Sequence, residues 1–122
     1  MSHIVRVQTK VRDGVAVRAA CRRRGLPDPV EGRHLVFRTQ LAGLGVKLRG
    51  WTYPVVCQLQ DGQVQYDNFN GRWGDVGELN LFLQAYAVEK ARLEARRQGH
   101  RVSEQALADG SIKLVVHVGG AA

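Results

Sequence analysis

"YPVVCQLQDGQVQYDNFNGRWGD", residues Tyr53 to Asp75, is the stretch on which the fold turns. In its first half, Tyr53–Leu59 and Gln63–Tyr66 flank Gln60-Asp61-Gly62, and Asp-Gly between two alternating runs is a strong hairpin signal. In its second half Tyr66, Phe69 and Trp73 are interleaved with Asn68, Asn70, Gly71, Arg72 and Gly74. Asp75 then stands where a helix N-cap belongs, with Glu78 three residues on as the second half of a capping box. The segment therefore reads as a corner where a strand hands over to a helix. Tyr66 ends the strand, Gly71 and Gly74 permit a tight reversal, and Phe69, Arg72 and Trp73 either anchor the corner or present it to a partner.

Outward from this corner the pattern is regular. Upstream, Ile4 to Val11 alternates as a strand, with Val5, Val7, Thr9 and Val11 set against Arg6, Gln8 and Lys10. Asp13 is placed to cap a helix and Gly25 to end it. Within that helix Val15, Ala16, Ala19, Ala20 and the stem of Arg23 form the expected apolar stripe. Two prolines in Leu26-Pro27-Asp28-Pro29 stop the helix by fixing φ and removing donors. Leu35 to Thr39 and Leu44 to Arg49 are candidate strands before the central hairpin. Downstream, Leu79, Phe82, Leu83, Tyr86, Val88 and Leu93 give helical spacing until Gly99, and a second hairpin runs Arg101–Leu107 and Ile112–Val118 around Asp109-Gly110.

The order β-α-β-β-β-β-α-β-β predicts an α+β domain, a mostly antiparallel sheet with both helices on one face. A ferredoxin-like core with added hairpins is the expected topology. One domain over 1–118 and a frayed tail at 119–122 complete the expected organisation.

The chain of 122 residues has a net charge of +7, and of its 18 basic residues all but Lys10, Lys47, Lys90 and Lys113 are arginine. Arginine suits phosphate and carboxylate recognition through its planar fork, though a GC-rich genome produces the same bias with no functional demand. No basic-then-apolar leader and no membrane-length apolar run is visible, so the expected location is the cytoplasm. Cys21 and Cys57 have no close-spaced partner and read as small buried hydrophobes. His3, His34, His100 and His117 show no ligand spacing, and Ser2, Ser103 and Ser111 lack a nucleophile elbow. The expectation is no metal, no cofactor, no catalytic residue and no enzyme.

Two surfaces remain. The candidate binding residues are Tyr66, Asn68, Phe69, Arg72 and Trp73, in a segment that with Trp51 and Tyr53 holds five of the eight aromatics. The alternative for them is ordinary core. Candidate anion-binding residues are Arg18, Arg22 and Arg23 on the first helix, and Arg92, Arg96 and Arg97 near the end of the second. For these the alternative is a solvated helix face.

The segments "VQTKVRDGVAVRAACRRRGL", "YDNFNGRWGD", "FLQAYAVEKARLEARRQGH" and "DGSIKLVVHV", with the opening Met1-Ser2-His3, resemble the uncharacterised family named for hypothetical chloroplast reading frame thirty-five of algal plastids and cyanobacteria. Pro27 to Pro54 matches least. The resemblance carries no settled activity, and gene neighbourhoods in the family imply a protein partner of AAA-type ATPase kind. The functional expectation is thus a non-enzymatic binding or adaptor protein docking a protein partner. The alternative is an RNA- or DNA-binding domain using the arginine-rich helix face.

Overall fold

The computed structural model describes residues 2–119. Its elements are β1 (Val5–Gln8), α1 (Gly14–Arg24), β2 (Val30–Val36), β3 (Thr39–Val46), β4 (Val55–Gln58), β5 (Gln63–Tyr66), a single 3-10 turn (Phe69–Gly71), α2 (Val76–Arg97), β6 (Arg101–Ala106) and β7 (Ile112–His117). The chain is α+β in the order expected from its sequence. β1 to β5 form one sheet in the order β1-β5-β4-β3-β2, every neighbouring pair antiparallel. β6 and β7 pair with each other. Because β2 to β5 make a meander and β1 joins it through β5, the sheet lacks the adjacent parallel strands of a ferredoxin-like core. Contacts divide the chain into one unit up to Tyr86 and another from Ala87 onward.

In the first unit, strand alternation sends Val64, Tyr66, Val55, Cys57, Leu44 and Val46 to one face of the sheet. α1 lies on that face, with Cys21 close enough to Cys57 to act on it electrostatically. The start of α2 lies beside α1, joined by Arg24 to Glu78 at 3.3 Å. The Tyr86 hydroxyl accepts from the backbone N–H groups of Arg12 and Asp13 at 3.1 Å each, just where α1 begins. Phe82 is the largest wholly buried side chain of this core. On the opposite face Val36, Leu41 and Val56 form a smaller cluster, with Ile4 and Tyr53 packed against it.

Local chemistry sets the ends of the helices. Asp13 accepts from the N–H groups of Val15 and Ala16 through Oδ1. Gly25, at φ 68°, closes α1 by donating to Arg22 while Leu26 donates to Cys21, a Schellman ending. The buried stripe is Ala16, Val17, Ala20 and Cys21, one position later than expected, and Val15 is 54% exposed. Both stripes have the same i, i+1, i+4, i+5 spacing, and burial against the rest of the core selects between them. β1 is shorter than expected: Thr9 gives both its N–H, at 2.9 Å, and its hydroxyl, at 2.6 Å, to Gly62 O, and the hydroxyl accepts from Val11 N at 3.0 Å where the chain turns toward α1. Glu78 meets Arg24 rather than completing a capping box, and Asp75 caps α2 through the N–H of Gly77 at 2.9 Å.

In the second unit, Glu94 lies between Lys90 and Arg97 at 2.9 and 2.8 Å, and Gly99 ends α2 with the same Schellman pattern. Arg92 meets Glu104 at 2.7 Å and so fastens the β6–β7 hairpin to the helix. The hairpin turn is held by Asp109, which accepts from the N–H and hydroxyl of Ser111. Leu107, Val115, Val116 and Val118 are exposed on it. Of the expected tail, Gly119 donates its N–H to His100 Nδ1 at 3.3 Å, and residues 120–122 lie outside those described. No described helix is long and apolar enough to cross a membrane.

Two outcomes follow. Tyr86→Phe strands two backbone donors at the start of α1, and denaturant unfolding should show a loss of about 1–3 kcal/mol. Burial is the larger cause in raising the Cys21 thiol to about 11 and the Cys57 thiol to about 12, from an ordinary 9.0. The folded pKa values lie above the unfolded ones, so the stability from the neutral thiols is complete below pH 9.0 and falls as pH rises toward 11–12. Urea titrations at pH 8 and pH 10.5 should reveal that loss, and both thiols should resist a disulfide-exchange reagent until the chain unfolds.

Candidate functional site

The corner between β5 and α2 is built on two buried polar residues. Asp67 and Asn68 are 3% and 7% exposed. Asp67 Oδ1 accepts from the N–H of Phe69 at 3.0 Å. Asn68 donates from Nδ2 to Gly74 O at 3.1 Å, and its backbone carbonyl accepts from Gly71 and Trp73. Asn68 thus spans the whole reversal. Trp51 holds the corner from the helix-covered side, donating Nε1–H to Asp75 O at 3.0 Å and meeting Tyr66 edge-on at 5.4 Å. Trp73 O accepts from Thr52 N at 2.8 Å, which ties the reversal to the start of β4.

The five residues expected at this site therefore separate into two kinds. Tyr66 and Asn68 are buried and hold the corner together. Phe69 and Trp73 are half-buried and Arg72 is exposed. Trp73 is the centre of a cluster of four rings: Phe69 at 4.8 Å, Phe37 at 5.1 Å and Tyr53 at 5.4 Å between centroids. None of the four is fully buried. Arg72 lies over the Phe69 ring at 4.9 Å and Arg38 over the Phe37 ring at 5.1 Å, so a guanidinium closes each end of the cluster.

Phe37 and Arg38 are functional candidates that the sequence does not reveal. They form the two-residue turn between β2 and β3, within a segment whose pattern reads as a strand over Leu35–Thr39. The turn carries no glycine, asparagine or proline. Phe37 occupies φ 54°, and Phe69 and Asn70 occupy 47° and 53°. These are the positive-φ residues other than glycine among those described; two lie in this corner, and the third, Phe37, stacks on its Trp73 from the β2–β3 turn. Each such residue costs roughly 1–2 kcal/mol in an L-amino acid, and the ring stack around Trp73 is what holds two of them there. Backbone strain of this kind concentrates at binding and switching sites.

The arginine candidates are less uniform than their spacing suggests. Arg18, Arg22 and Arg23 are exposed on α1. In the second unit Arg96 is exposed, whereas Arg92 is paired with Glu104 and Arg97 with Glu94. Two further clusters have limited chemistry. His117 Nε2 lies 3.2 Å from Ser103 Oγ, exposed on the hairpin, and no described carboxylate orients the ring. A shallow cavity of about 240 Å³ is lined by Pro27, Asp28, Val30, His34, Lys47 and Pro54, and His34 there bonds Val30 O at 2.8 Å across Gly45. Among the described residues no three His, Cys, Asp or Glu side chains come together as a metal site.

A methyl group at Gly74 would enter the Trp51 indole. Gly74→Ala should therefore destabilise the protein by about 1–3 kcal/mol, seen as a lowered denaturation midpoint with tryptophan emission altered in the folded state. In comparisons with known proteins, no family model, no curated protein and no solved structure matches this chain.

Proposed function

We propose that this protein is a non-enzymatic binding or adaptor module that docks a protein partner on the aromatic corner. The observation that carries the reading is the Trp73 cluster, four half-buried rings with Arg72 and Arg38 laid over Phe69 and Phe37. Tryptophan, tyrosine and arginine dominate the energetic centres of protein interfaces, because large rigid rings bury area at low entropic cost. Rings left half-exposed beside strained backbone, when Tyr66 and Asn68 already secure the corner, support recognition over simple packing. The resemblance to the chloroplast reading frame thirty-five family, carried by the quoted segments, makes an AAA-type ATPase the partner to try first.

The alternative, RNA or DNA on the arginine face, draws on Arg18, Arg22 and Arg23. It is weakened where Arg92 and Arg97 already serve carboxylates of their own chain. The proteins captured by wild type and by Arg38→Ala/Arg72→Ala from native-cell extract distinguish the two. Both substituted residues are exposed, so the variant should fold and melt as wild type does. Its affinity for the captured ATPase should fall about tenfold or more in a direct titration with the purified partner. Unchanged affinity in the folded variant removes this docking surface. Capture of nucleic acid that weakens steeply with salt would favour the alternative.

A further inference from the structure

β2 ends the five-stranded sheet, and among the described residues no strand covers its outer edge. It runs for seven residues, against four in β1 at the other edge. An open edge presents a row of unpaired backbone N–H and C=O groups, and proteins ordinarily shorten, charge or cover such edges. β2 is long, and it exposes Val30 at 61% and Leu35 at 58%. At its middle stands Gly32, at φ 144° and with open space around the position a Cβ would take. A second backbone can approach there without meeting a side chain.

We propose that β2 is a homodimer interface, pairing antiparallel with β2 of a second copy about a two-fold axis through Gly32. The argument is charge complementarity in a fixed register. In a two-fold antiparallel pair, residue i of one strand faces j of the other and j faces i. With Gly32 on the axis, Glu31 of each copy faces Arg33 of the other, and Val30 faces His34. Moving the axis to Arg33 opposes two arginines, and moving it to Glu31 opposes two glutamates. An axis at His34 opposes two histidines and leaves both charges without a partner. Gly32 is the centre that joins opposite charges twice and brings the backbones together where no side chain intervenes. The axis is perpendicular to the sheet, so two five-stranded sheets become one continuous sheet with the helices of both copies on the same face.

The charge-swap series tests this register. Sedimentation and light scattering should find wild type dimeric at micromolar concentration. Glu31→Arg and Arg33→Glu each place like charges opposite one another, and each should weaken the dimer about tenfold or more. The double variant Glu31→Arg/Arg33→Glu restores opposite pairs and should restore the dimer. Circular dichroism of all three should match wild type, since both side chains are exposed on an edge. Hydrogen exchange should slow at β2 amides in wild type and the double variant, and quicken in the single ones. A wild type that remains monomeric at millimolar concentration overturns the proposal. So does a dimer indifferent to the single changes, or a folded double variant that remains monomeric.

Discussion

One phenol fixes the architecture of the first unit. Tyr86 stands nearly three turns into α2, and its oxygen takes the backbone N–H groups of Arg12 and Asp13. Those two donors precede α1, where no helical carbonyl is available to them. The hydroxyl therefore satisfies the start of one helix from the middle of the other, and commits both to the same side of the sheet. Arg24 with Glu78 adds a second tie near the opposite end of α1. With α1 crossing between the two sheet edges and α2 beside it, one face of the meander is closed. The other face carries the small cluster of Val36, Leu41 and Val56.

That asymmetry explains why the aromatic corner stays half-open. Tyr53 packs against the small cluster and also stacks on Trp73, so the corner roofs one end of the face without helix cover. Trp51 approaches the same reversal from the helix side, and Gly74 is glycine because that indole leaves no room for a Cβ. The corner is thus clamped between two tryptophans with different duties. Trp51 uses its N–H to hold Asp75, and Trp73 is a hub for rings from three separate segments. Holding Phe37 and Phe69 at positive φ costs stability that packing must offset. A corner needed only to reverse the chain could place glycine or asparagine at these positions without that cost.

The sequence is legible where local chemistry decides and illegible where tertiary contact does. Asp13, Gly25, Asp61-Gly62, Asp75, Gly99 and Asp109-Gly110 each act on backbone within a few residues of themselves, the aspartates through their carboxylates, and each stands at the boundary it marks. The phase of α1 escapes such reading because two stripes fit its spacing equally, and tertiary burial chooses. The β2–β3 turn escapes because Phe37-Arg38 carries no turn residue; its conformation is imposed by rings of residues far along the chain. The same cause hides half of the candidate site. Phe69, Arg72 and Trp73 stand together in sequence, whereas Phe37 and Arg38 reach them only through the strained turn. The arginine spacing misleads in the opposite direction, since Arg92 meets Glu104 across the hairpin, a carboxylate that spacing does not assign to it, and Arg97 is taken up by Glu94 one turn back.

The edge strand and the corner are also connected. β2 leads directly into the Phe37 turn, so whatever binds the edge determines where the corner stands relative to a second copy. In a two-fold assembly through Gly32, each Phe37 lies five residues from the axis along its strand. At the usual rise for a strand the two turns would be about 33 Å apart. A two-fold axis perpendicular to the sheet sends both corners toward the same side, that of the Val36, Leu41 and Val56 cluster. Two weak docking sites held at a fixed separation engage a repetitive partner far more tightly than either does alone, because the second contact forms at high effective concentration. Such an assembly would give the proposed docking surface an avidity that a single patch of four rings lacks.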